Sequence, residues 1–171
     1  VVTISAQGTK WNQVLGSDDN LTPVSNEVTD TCTITANVTD SVVFTSSKSS
    51  VTDNTRNTDD TIPSPTKITI THDDVDSWVA SLNVTSTNWK FSTTQNGTYS
   101  TDPTTLLSKS NLGHAPGTFD FWVKYDTNSV ASETLTLTLA ESTTDSHAGL
   151  TNITITLTGK VTQAIGTAVM N

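Results

Sequence analysis

The chain has 171 residues with a formal net charge of −9, of which 33% are hydrophobic and 15% charged. Thr supplies 37 positions and Ser 20, an alphabet that excludes a helical bundle, because Thr is stiff at its β-carbon and favours strands. The length argues for one domain, and a periodic set of Leu, Ile, Val and Phe amounting to about 23% of the chain argues against disorder.

The predicted elements, taken in order, are mostly short strands of strict alternation. Val2, Ile4 and Ala6 alternate with Val1, Thr3 and Ser5, and Gly8 follows as a swivel. This first strand either folds back into its own sheet or is donated to a neighbour, completing that neighbour's core. Residues 11–30 read as irregular. Cys32, Ile34, Ala36 and Val38 then alternate with Thr and Asn. Cys32, the only cysteine, reads as a small buried hydrophobe, with an intermolecular bridge or reactive thiol as the alternative. Residues 45–66 read as a long loop, and Ile68 and Ile70 mark a strand in KITIT. Val75, Trp78, Val79 and Leu82 fall at helical spacing, so 73–82 is expected to form one or two helical turns. Asn96-Gly97 is a hairpin-turn signal. Three further strands follow, in FDFWVKY, TLTLTLA and NITITLTGK. Together these give an all-β chain: an antiparallel β-sandwich of jelly-roll or Greek-key type with an extended N-terminal strand. The expected division is a donor strand and hinge over 1–10 and one sandwich domain over 11–171.

The chemistry-bearing residues are few. Residues 1–80 carry 11 acids against 4 bases, and the remainder 6 against 4. Neither nucleic acid nor an anionic membrane suits that balance. His72, His114 and His147 are far apart in sequence with no metal-ligand spacing, no Ser sits in a nucleophile elbow, and an enzymatic role is not expected. Asp73, Asp74 and Asp76 lie beside His72, a cluster of hard ligands that could hold Ca²⁺, or equally a solvated acidic turn or acids at a helix N-terminus. Sequons occur at Asn20, Asn37, Asn83, Asn96 and Asn152. Each is a candidate N-glycosylation site or an unmodified outward Asn. In FDFWVKYD the core phase is Phe119, Phe121, Val123 and Tyr125, leaving Trp122 on the outer face beside Lys124. An exposed Trp is a partner surface or sugar-stacking platform, unless a loop or glycan covers it. Trp11, Trp78 and Trp89 read as core or loop-pinning residues. The start at Val1 without Met suggests a removed leader and an extracellular or cell-surface protein.

The alternating first strand, the Thr-rich strands TCTITANV, GTFDFWVKY, TLTLTLA and NITITLTGK, and the scattered sequons resemble subunits of secreted β-sandwich filaments assembled by donor-strand complementation. These include archaeal thread filaments and bundling pili and the related bacterial biofilm-matrix fibres. The resemblance covers the whole chain in style and implies a pilin-like fold, head-to-tail homopolymers, surface glycosylation and a role in adhesion or biofilm. Val2, Ile4 and Ala6 then correspond to donor-strand plugs. Two further readings stand beside it: a monomeric carbohydrate-binding or adhesin module using Trp122, with cell-surface or matrix glycans as partners, and a calcium-assembled surface-layer or tube subunit using Asp73, Asp74 and Asp76. About 38% of the chain is apolar when Gly is counted, below the usual globular range. From this the sandwich is expected to borrow part of its core from a neighbour.

Overall fold

The computed structural model describes residues 2–15, 21–34, 42–142 and 147–164, the first two segments as backbone. The chain separates into two compact units, Val1–Asp40 and Ser41–Asn171. The sequence reading sets a donor strand and hinge over 1–10; the two compact units divide at 40/41.

In the first unit, β1 (Val2–Leu15) and β2 (Leu21–Ile34) form a two-stranded antiparallel sheet. The register runs unbroken from Val2↔Ile34 to Leu15↔Leu21. Residues 11–15 and 21–30, expected to be irregular, are therefore strand. Cross-strand pairing supplies regularity that their composition does not announce, and Pro23 is tolerated because both strands of a ribbon are edges. Directly opposed residues share a face of an antiparallel pair. Val2, Ile4, Ala6, Val14, Val24, Val28, Cys32 and Ile34 thus share one face of the ribbon with Lys10, Asn12, Asn26 and Asp30. The other face carries Thr3, Ser5, Gln7, Thr29, Thr31 and Thr33 together with Trp11, Leu15, Leu21 and Pro23.

The second unit is an all-β sandwich. One sheet has the order β3-β5-β8-β7, built from Val43–Ser46, Thr66–Asp73, Gly117–Tyr125 and Trp89–Ser92. The other has the order β4-β10-β9-β6, built from Ser50–Asn57, Ile153–Thr162, Ala131–Glu141 and Trp78–Leu82. All pairings are antiparallel except β4 with β10. With β3 and β4 as one strand divided between the sheets, this is the A-B-E-D over C-F-G Greek-key order of the immunoglobulin-like sandwich.

The alternation seen in the sequence decides which side chains meet. Leu135, Leu137 and Leu139 of β9 stand opposite Leu157, Ile155 and Ile153 of β10, and all six are buried. They face Ile68, Ile70, Phe121 and Val123 of the other sheet within one core cluster. Each fully buried aliphatic contributes roughly 1.5–3 kcal/mol. Among the described residues this core is assembled from residues of 42–161. The low apolar fraction goes with outward Thr rows, such as Thr134, Thr136 and Thr138 opposite Thr158, Thr156 and Thr154.

Three local expectations change. Over 73–82, Trp78 and Ala80 are buried while Val79 is 49% exposed, a period of two that makes β6 a strand where helical turns were expected. Residues 50–57, placed in the long loop, form β4, whose parallel pairing with β10 needs few apolar side chains. The one helix among the described residues, α1 (Pro103–Leu107), was not foreseen because a single turn has no periodicity to read. Asp102 caps it by accepting from Thr104 N at 2.8 Å, and Pro103 occupies its first turn. The Asn96-Gly97 turn is as expected. Gly97 N donates to Thr94 O, and the returning chain closes on β7 through Phe91 and Ser100.

Candidate functional site

The proposed donor residues Val2, Ile4 and Ala6 lie in β1 opposite Ile34, Cys32 and Asp30 of the same chain. What the chain presents at its N-terminal end is thus a paired ribbon, with Cys32 on the same face as Ile4. Among the described residues β1 and β2 pair only with each other. The outer edges of the sandwich are treated differently from one another. The free edge of β6 is closed by reciprocal main-chain bonds between Trp78 and Lys109 (2.9 Å each) and by Ser108 Oγ accepting from Ala80 N. That of β7 is closed by reciprocal bonds between Phe91 and Ser100. No comparable bridge covers β3 or β4 among the described residues.

The acidic segment follows β5. Asp74 takes a left-handed conformation with φ 58°, as do Asn111 (58°) and His114 (56°), uncommon for residues with a β-carbon. Asp74 and His114 meet at one end of the sandwich. Asp74 Oδ1 lies 3.0 Å from His114 Nδ1, Asp74 Oδ2 lies 3.3 Å from His147 Nε2, and His147 Nδ1 reaches Glu141 Oε1 at 2.5 Å. Asp76 Oδ1 accepts from Gly113 N at 2.6 Å. His114 and His147, read as distant in sequence, therefore converge on one carboxylate. His72 stays apart in the core, packed over Gly117 and 5.5 Å from the Trp78 ring. Among the described residues no group of three or more His, Cys, Asp and Glu side chains is arranged to hold a metal ion. Asp74 pairs with two imidazoles and Asp76 accepts from a backbone amide, while the main chain of Asp73 pairs in the β3–β5 ladder. The calcium reading finds no support in this arrangement.

Trp122 lies on the outward phase of β8, half-buried, between Lys67 of β5 and Ser92 of β7. The Lys67 ammonium stands 5.7 Å from its ring centre and 2.7 Å from Asp120. Hydrogen bonds from Lys67 and then Thr69 hold the Asp120 carboxyl below the usual range. Asp126 binds Lys124 at 2.9 Å and Lys90 at 3.1 Å. Burial alone would raise its pKa, but those lysines outweigh it and lower it. Trp78 and Trp89 are fully buried. Asn83, Asn96 and Asn152 are exposed, although Asn83 Oδ1 also accepts from Thr136 N at 2.7 Å. Asn20 and Asn37 lie outside the described residues.

One feature was invisible in the sequence. The β4–β10 register breaks after Asp53↔Gly159 and resumes at Arg56↔Val161. Residues three apart in a regular strand face opposite ways; this bulge turns both Asp53 and Arg56 inward. Their side chains are each 6% exposed, with Arg56 Nε 3.8 Å from Asp53 Oδ2. Arg56 also donates to Tyr125 O (3.3 Å), Thr127 O and Asn128 Oδ1 (3.3 Å). The two residues line a cleft of about 340 Å³ together with Trp89 and Tyr125, whose rings lie 5.2 Å apart. Tyr125 reaches across the sandwich onto Gly159, where a β-carbon would overlap its ring. Burial pushes the Asp53 carboxyl up, against the opposing pull of Arg56. Burial, with Glu133 nearby, also pushes the Tyr125 phenol up. The only sequence signal was a single Arg within a Thr, Asn and Asp run.

The chain combines an immunoglobulin-like sandwich with a separate β-ribbon. No protein-family model matches it, and no curated protein is similar to it.

Proposed function

We propose that this chain is a structural, non-enzymatic subunit of an extracellular filament, polymerising head-to-tail by lending its N-terminal ribbon to the next subunit, with a role in adhesion or biofilm. The ribbon itself carries this reading. A two-stranded hairpin is marginally stable alone, yet here 28 residues of strand form a unit apart from the sandwich. Over residues 2–8 and 28–34 one of its faces gathers Val2, Ile4, Ala6, Val28, Cys32 and Ile34 around Asp30. Strand addition to a second copy would satisfy both the ribbon's edge and this apolar stretch. The receiving edge in this reading is β4, the eight-residue edge strand, because β6 and β7 are capped by the 100–109 segment. Thr-rich outward faces and exposed sequons suit a glycosylated surface polymer.

Negative-stain microscopy of the purified chain tests the proposal against a Val2→Lys, Ile4→Lys double variant. Filaments from the parent and folded monomers from the variant are expected. Filaments of equal length from both would remove the ribbon from the assembly.

A further inference from the structure

We infer that Asp74, His114, Glu141 and His147 form a pH-operated latch, which fastens three connections at one end of the sandwich in mild acid and releases them as pH rises. Both ring nitrogens of His147 face carboxylate oxygens: Nδ1 lies 2.5 Å from Glu141 Oε1, and Nε2 lies 3.3 Å from Asp74 Oδ2. A neutral imidazole carries one N–H and satisfies only one of these contacts; the imidazolium donates to both. The observed arrangement is therefore that of the protonated ring. Asp74 turns its other oxygen to His114 Nδ1 at 3.0 Å, so with both rings protonated two carboxylates face two cations. The four side chains come from separate places in the chain. Asp74 follows β5, His114 precedes β8, and His147 lies between β9 and β10. Glu141 ends β9 and also accepts from the His147 amide at 2.8 Å. When His147 loses a proton to solvent, the remaining one stays with Glu141, which holds both the ring and the amide. The contact with Asp74 is the one that opens.

Opposite charges within about 4–6 Å favour a charged ring, so the clasped His147 keeps its proton to higher pH than the released one. The latch's contribution is complete below the pKa of a free imidazole, about 6.5, and is lost as pH rises through that of the clasped ring. Around the four groups stand Asp73 at the end of β5, Asp76, which accepts from the Gly113 amide, and Lys109, whose ammonium lies 4.0 Å from the Phe119 ring centre. The backbone favours release. Asp74 and His114 are held at φ 58° and 56°, a costly conformation for residues with a β-carbon, and their main chains are joined by Asp74 N donating to His114 O at 3.3 Å. The latch lies within the sandwich unit and stands whether or not the ribbon polymerises.

The test is an NMR titration of the full chain between about pH 4 and 9, following the ring resonances of its three histidines. His147 is expected to titrate about one unit or more above a free imidazole. Across that midpoint, the amide order parameters of residues 147–150 are expected to fall from about 0.85 to below about 0.6. Protection of the Asp74 amide, corrected for its intrinsic exchange rate, should fall about tenfold for each unit of the difference. Asp74→Asn is expected to lower the midpoints of both His114 and His147 by about one unit and to leave His72, in the core, in place. Glu141→Gln is expected to move His147 alone, which keeps the test intact if the first variant does not fold. A His147 midpoint at or below about 6.5, a midpoint unmoved by Glu141→Gln, or residues 147–150 equally ordered on both sides of it overturns the assignment.

Discussion

The two ends of β8 use the same device to different effect. At its start, the His72 ring of the adjacent strand packs on Gly117; at its finish, Tyr125 crosses the sandwich to pack on Gly159. Around the first end the carboxylates of Asp74, Asp76 and Glu141 all have partners. Around the second, Arg56 Nε faces Asp53 Oδ2 at 3.8 Å, and buried atoms of Asp53, Arg56, Trp89 and Tyr125 lack a hydrogen-bond partner, as does His72 Nδ1 at the first. The difference teaches that an aromatic-on-glycine contact fixes the packing at both ends, while the polar groups around it are more fully hydrogen-bonded at the first end than at the second.

The sharpest way to break the comparison is at the glycines. Gly159→Ala forces a methyl into a ring that is fully buried and spans both sheets, and is expected to cost about 3 kcal/mol. Gly117→Ala brings its β-carbon to 2.7 Å from His72 Nε2 within one sheet, and about 1–2 kcal/mol is expected. Urea denaturation of the two variants checks the order; equal losses would contradict a cross-sheet role for Tyr125. Next in size are the carboxylates. Asp76→Ala strands the Gly113 amide and is expected to lose about 1 kcal/mol. Asp53→Asn is expected to leave stability near neutral pH unchanged or raise it, because burial outweighs Arg56 in setting its charge cost.

Acid gives the two kinds of carboxylate opposite signs. Asp120 and Asp126 have lowered folded-state values. Their contribution is complete above the unfolded carboxyl pKa of about 3.9 and is lost as pH falls through the folded value. Asp53 is raised, so its cost is present above its folded pKa and is relieved as pH falls toward the unfolded value. The stability gap between Asp53→Asn and the parent is therefore expected to narrow on acidification, as read from denaturation midpoints near pH 7 and pH 4. A gap that widens would reverse the assignment. The smallest effect expected is Trp122→Ala, within about 1 kcal/mol, since that ring is half-buried outside the core.

Much of the sandwich was legible because one face of each central strand is aliphatic and the other is Thr: β5, β8, β9 and β10 follow from Ile68/Ile70, Phe121/Val123, Leu135–Leu139 and Ile153–Leu157. β6 was misread since Val75, Trp78, Val79 and Leu82 fit helical spacing, and only burial shows that Val79 points outward. β4 was missed because a bulge replaces its second apolar position with Asp53 and Arg56. The candidate site suffered most. His114 and His147 meet at Asp74 through loops 33 residues apart in sequence, and the cleft depends on register, which no local pattern encodes. In the first unit the alternation of Val2, Ile4 and Ala6 was visible, but not that β2 would pair with it in the same chain.

The central claim, that the ribbon completes itself on a neighbouring subunit, is most directly tested by amide hydrogen exchange on assembled and on dissociated material. Residues 2–34 are predicted to be protected in the assembled state and to exchange rapidly in the dissociated one, while the core strands β5, β8, β9 and β10 stay protected in both. Equal protection of residues 2–34 in the two states would contradict the account.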